Sequence, residues 1–156
     1  MREEQFARQV AQPAVLGAMD GSVSTLAPIF AVVLATHQPF IAFLVGMSTA
    51  VGAGISMMLS EALSDDGKLT GRGNPFKRGG IVGLMTFIGG AGHTLPFLIP
   101  SVHVALIVAL CVVGVELIVI SIIRHRFFQT PLWLSLLQVA GGGALVVLVG
   151  FLFGSA

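Results

Sequence analysis

Three carboxylates stand in a chain with little other charge: Asp20, Glu61 and Glu116 fall within or at the edge of long apolar stretches. An ionised carboxylate at mid-bilayer costs about 2.5–3.5 kcal/mol on insertion scales, so each calls for a compensating cation, proton or hydrogen-bond donor. The stretch "GISMMLSE" places Met57 four residues before Glu61, which on a helix sets a thioether and a carboxylate on one face. "GAMDGSVSTLAPIF" places Ser24 one turn beyond Asp20 and Pro28 one turn beyond that, and the proline frees the carbonyl of Ser24 by removing a helix hydrogen bond. Oxygen ligands alone suit magnesium, calcium or manganese, whereas a thioether beside them tilts the preference to a softer first-row dication. Asp20, Met57 and Glu61 therefore read as a ligand set for Fe²⁺, with Mn²⁺ close behind, and the same carboxylates can take up protons when the metal leaves.

Other residues carry weaker signals. Ser24 and Glu116 are candidates for lining a transport path or passing a proton, although Glu116 also fits a neutral, hydrogen-bonded packing role. His93, in "GGAGHTLP", either lines an exit path or hydrogen-bonds a backbone carbonyl. Gly21 and Pro28 are candidate hinges. His37, His103 and His125 fall in turns, where a solvated ring is the default. No HExxH, CxxC, Walker-type or GxSxG pattern occurs, and the depths expected for Ser24 and His93 differ too much for an intramembrane hydrolase, so the chain reads as a non-enzyme. The lone Cys111 allows no internal disulfide, and the lack of a basic patch with interleaved aromatics argues against nucleic acid as a partner.

These residues are positioned by apolar helices. Of 156 residues 55% are hydrophobic and 10% charged, with a mean hydropathy of +0.97, which describes an integral membrane protein. Windows of about 20 residues, long enough for a bilayer core, occur near 14–36, 40–63, 79–100, 104–123 and 132–153. The fold class expected is an all-α membrane protein, a bundle of five transmembrane helices. Residues 1–13 form a cytoplasmic N-terminal segment, 14–156 the transport domain, and 64–78 a short cytoplasmic connection without a metal-binding insert. All eight Lys and Arg, from Arg2 and Arg8 to Arg124 and Arg126, lie on one side of this map, which predicts a cytoplasmic N-terminus and an external C-terminus. The tight turns "THQP" and "PSVH" make helices one and two, and three and four, antiparallel neighbours. At about 1.5 Å per residue, Asp20, Met57 and Glu116 lie about 10 Å deep and Glu61 about 3 Å deep, so they converge in the inner leaflet. Small residues at helical spacing, such as Gly46, Ala50 and Gly54, then Gly79 and Gly83, then Gly150 and Gly154, predict close helix packing.

"MDGSVSTLAPIFAV" together with "AVGAGISMMLSEALS" resembles the first two helices of the vacuolar iron transporter family, at Asp20, Gly21, Ser24, Thr25, Ser56, Met57 and Glu61. "GLMTFIGGAGHTLPFLIP" is similar to that family's third helix. The resemblance implies a homodimeric exporter of Fe²⁺, and often Mn²⁺, coupled to proton entry, with the helix-one aspartate and helix-two methionine in the ion path at the dimer interface. The connection "SDDGKLTGRGNPFKR" is too short for the helical metal-binding domain of plant members, and is closer to the membrane half of bacterial membrane-bound ferritin-like exporters. Metal would then arrive from solution, from a cytoplasmic delivery partner, or by way of Asp65 and Asp66. The expected setting is a bacterial inner membrane, with no permanently bound cofactor. The rival from another class is a non-transporting membrane scaffold that depends on a metal-collecting partner.

Overall fold

The computed structural model describes residues 3–64, 66–68 and 70–155, so Arg2 and Asp65 lie outside the described residues. Five long helices follow in chain order: α1 (Glu3–Thr36), α2 (Pro39–Ser64), α3 (Pro75–Gly92), α4 (Val102–Phe128) and α5 (Leu132–Gly154). Local chemistry sets their ends. His37 and Gln129 close α1 and α4 in the left-handed conformation, with φ of 54° and 53°. Asn74 caps α3 by accepting the Lys77 N–H at 3.0 Å, and Pro75 opens it with a preset φ.

Four of the five, α1, α2, α4 and α5, are long and apolar enough to cross a membrane. Helix α3 has 18 residues, is rich in glycine and carries Lys77 and Arg78 in its first turn, so it falls outside that group. It also sits differently from the window near 79–100. It starts at the Asn74–Pro75 cap and stops at Gly92, after which a turn and a 3₁₀ segment, Leu95–Leu98, lead into α4. At the other end of the chain α1 extends to Glu3, so residues 3–13 are helical and continuous with it, with a π-helical stretch over Ala7–Ala11.

Helix α1 is interrupted once, at Thr25, between Gln12–Ser24 and Leu26–Thr36. Two features act there. Pro28 has no N–H to give to the Ser24 carbonyl, and the Thr25 hydroxyl donates back to the Gly21 carbonyl at 2.9 Å; each loosens a helix locally.

Helix α3 packs closely against the lower half of α1 and against α2. The contact is main chain on main chain: Cβ atoms on Gly17 and Gly21 would collide with the carbonyls of Val82 and Thr86, and one on Gly83 would stand 2.6 Å from the Gly54 carbonyl. Helix α5 leans on the upper half of α1 in the same manner, where Gly150 and Gly154 meet the carbonyls of Ala27 and Ala31. Small residues permit this approach, which suits lipid, where apolar burial alone gives helices no drive to associate. The core is correspondingly thin. It centres on Ile29, Val33, Ala42, Phe97, Ala105 and Ala109, while Leu110, Ile118, Ile122, Leu137 and Leu148 on α4 and α5 face outward. An apolar exterior of this kind belongs to an all-α, multi-pass membrane protein.

Candidate ion sites

The basic residues gather at one end of the bundle. Glu3 of α1 reaches Arg126 of α4 at 3.8 Å, and Phe6 stacks at a tilt on Phe127 with ring centroids 5.6 Å apart. Beside them, Glu61 Oε1 accepts from Arg72 Nη2 at 2.9 Å and from Arg78 Nε at 2.7 Å. Arg78 is 1% exposed and its Nη1 also donates to the Gly73 carbonyl at 3.3 Å. Glu61 is therefore compensated from within the chain. To bind a metal through Oε1 it would have to release an arginine.

Asp20 stands apart from that arrangement. It is half-buried on α1, beside the Gly17 and Gly21 stripe that faces α3, with exposed Leu16 and Ser24 one turn to either side. Among the described residues it forms no hydrogen bond or ion pair. Met57 is half-buried on α2, on the stripe Gly46, Ala50, Ala53, Met57 that repeats at helical spacing. Gly46 at the far end of that stripe abuts both Ile29 of α1 and Thr94, and Ala50 meets Gly90 of α3, so at those two positions the stripe faces the junction of α1 and α3. Gly21 is a point of contact: the Thr86 carbonyl occupies the space a methyl group would need.

The other two weak candidates, Glu116 and His93, come together. His93 Nδ1 lies 3.1 Å from Glu116 Oε2, and its Nε2 lies 2.6 Å from the Thr25 hydroxyl. Ser22 donates to the same carboxylate oxygen at 2.9 Å. Ser22, Thr25 and His93 are 1%, 0% and 0% exposed. The other carboxylate oxygen, Oε1, rests against Gly92, where any Cβ would displace it. Ser22 and Thr25 carried no signal as a pair in the sequence, because their relation runs through α3 and α4. The depths inferred for Ser24 and His93 misled for a related reason. With α3 starting at Pro75 and ending at Gly92, His93 meets α1 next to Ser24, at Thr25, instead of near the outer surface. Ser24 itself is exposed.

Carboxylate by carboxylate, Glu61 is held by guanidinium groups, Glu116 by a hydroxyl and an imidazole, and Asp20 by none of the described side chains. The family model described as the VIT family matches residues 66–155, more than half of the chain. The chain belongs to the VIT family. This is the vacuolar iron transporter family of the sequence resemblance, a family of membrane metal-ion transporters and not of enzymes. The matched segment covers α3, α4 and α5, so Asp20, Met57 and Glu61 of this VIT-family protein lie ahead of it. No curated protein and no solved structure matches the chain.

Proposed function

We propose that this VIT-family chain exports Fe²⁺, with Mn²⁺ as the near alternative, from the cytosol in exchange for protons, and that Asp20 and Met57 hold the passing ion. The observation that carries the reading is Asp20: a half-buried carboxylate on a membrane helix with no partner among the described residues, although both other intramembrane acids have one. An uncompensated carboxylate in lipid is retained where a cation visits it. Counted back from Thr36 and forward from Pro39 at about 1.5 Å per residue, Asp20 and Met57 lie about 24–27 Å from the turn that joins their helices. Their common level supports a shared site.

In this reading all five helices span a bacterial cell membrane, with the N-terminus and the basic end of the bundle cytoplasmic and the C-terminus outside. Helix α3 reaches across with the help of the Leu95–Leu98 turn. The open side of α1 around Leu16, Asp20 and Ser24 faces a second copy, and the homodimer completes the coordination. Glu61 joins the path by exchanging an arginine for the metal.

Flux in liposomes containing this chain alone tests the proposal. Wild type is expected to move Fe²⁺ and Mn²⁺, D20N neither, and M57L chiefly Mn²⁺, since a lost thioether matters more to the softer ion. Absence of flux in wild type, or D20N transporting like wild type, overturns the reading; the first outcome favours a scaffold that needs a metal-collecting partner. Equal loss of both metals in M57L overturns the softness argument.

A further inference from the structure

We propose that Glu116 and His93, bracketed by Ser22 and Thr25, form a proton-binding site separate from the Asp20 metal site, opening on an apolar cavity between α1, α3 and α4. The proposal deepens the exchange of metal for protons by naming where the proton is held, but the site itself is testable without any metal.

Hydrogen-bond bookkeeping at the four side chains leads to it. The Thr25 hydroxyl has one proton and two acceptors within reach, the Gly21 carbonyl at 2.9 Å and His93 Nε2 at 2.6 Å; when it donates to the carbonyl, its oxygen accepts from Nε2, which then carries hydrogen. Neutral imidazole has one N–H, which leaves Nδ1 as an acceptor facing Glu116 Oε2 at 3.1 Å. Two acceptors do not bond. The contact holds when one further proton lies between them, either as carboxylic acid and imidazole or as carboxylate and imidazolium. Removing that proton makes the chain rearrange: the Thr25 hydroxyl turns to donate to Nε2, the ring hydrogen moves to Nδ1, and the Gly21 carbonyl loses its side-chain donor. The group therefore has two hydrogen-bonded states that differ by one proton taken from or returned to water, with an O–H or N–H bond made or broken and nothing else exchanged.

The surroundings favour a proton over a metal ion. Among the described residues no group of three or more His, Cys, Asp and Glu side chains is placed to hold a metal. The cavity, of about 460 Å³, is walled by residues such as Met85, Ile88, Val112, Val115 and Ile120, and Glu116 and Cys111 are its lining residues with ionisable side chains. Other charged groups on the packed elements face elsewhere. Asp20 lies two residues from Ser22 on a different face of α1; Lys77 and Arg78 begin α3; Arg124, His125 and Arg126 end α4, and His103 begins it; α5 has none. A dication here would meet one formal negative charge.

Hydroxyl, imidazole and carboxylate in series also match the order of a nucleophile triad. Thr25 is fully buried, however, and the cavity touches the opposite end of the series, at Glu116, so a substrate carbonyl has no approach to the hydroxyl. What can reach the group from the cavity is a proton on the carboxylate.

The test uses dicyclohexylcarbodiimide, an apolar reagent that attacks protonated carboxyl groups, on the detergent-purified full chain without metal between pH 5 and 9, with the adduct mapped by peptide mass spectrometry. Glu116 is expected to be labelled, with the rate falling about tenfold per pH unit beyond its midpoint, and E116Q should lose the adduct. H93Q removes the group that shares the proton, leaving it on Glu116, and should speed labelling at pH 8 by about tenfold. T25V removes the oxygen that accepts from Nε2, so it should shift the rate in the same direction by less, and it carries the test if H93Q fails to elute as folded protein. No adduct on Glu116 at any pH, or wild-type rates in every normally eluting variant, overturns the proposal. Flux without labelling removes the proton site and leaves the transport reading standing; labelling without flux does the reverse.

Discussion

Replacing Glu61 by glutamine removes the carboxylate 2.7 Å from a guanidinium that is 1% exposed. Breaking a buried pair from one side costs about 3–5 kcal/mol, because the remaining charge stays desolvated. Here the low edge applies: Arg72 is 25% exposed and can turn to water, and Arg78 keeps its bond to the Gly73 carbonyl. About 3 kcal/mol in a chain of this size corresponds to a fall of about 6–12 °C in the unfolding midpoint. Thermal unfolding in detergent, followed by loss of the monodisperse peak on size exclusion, measures it. E61L combined with R78M, which replaces both charges by apolar groups, should recover most of the loss. A midpoint within about 3 °C of wild type for E61Q refutes the clamp argument. If that variant also loses metal flux, Glu61 belongs to the ion path instead.

Glycine contacts give a second, graded set. G21A drives a methyl group into the Thr86 carbonyl and should cost about 1–3 kcal/mol, whereas G141A enters open space and should be neutral or slightly stabilising through helix propensity; equal midpoints for the two contradict the packing. N74A deletes the cap of α3 and should lower stability by about 1 kcal/mol, read in the same assay. P28A restores a donor for the Ser24 carbonyl, so amide exchange at residue 28 should be protected in a helix that now runs on through Thr25; unchanged exchange around Thr25 would assign the break to the threonine hydroxyl alone.

Long apolar windows and the tight turn at "THQP" made the helices legible, because length and turn chemistry are local properties of a sequence, whereas the Asn74–Pro75 cap of α3 went unread. Small residues at helical spacing announced the contacts at Gly83 and Gly150 for the same reason. Depth was less legible. A ruler laid from the ends of hydropathy windows fails where a helix starts outside its window, as α3 does at Pro75, or stops inside it, as at Gly92. That error separated His93 from Ser24 on paper, and so from its neighbour Thr25. The partners of Glu61 were less legible: Arg72 lies in the connection after α2 and Arg78 on another helix, so both contacts emerge only from packing. Asp20 announced itself by type, since an acid inside an apolar stretch stands out, and Met57 by its spacing four residues before Glu61, while the lack of a partner for Asp20 needed coordinates.

The lower half of α1 and helix α2 each meet α3 through backbone atoms at Gly17, Gly21, Gly54 and Gly83, so those contacts have no rotamers to rearrange and should move as one block. Helix α4 touches the block across a void along much of its length. Any rocking that carries a cargo across the bilayer should therefore open and close along that seam, where the protonatable group sits astride the moving joint.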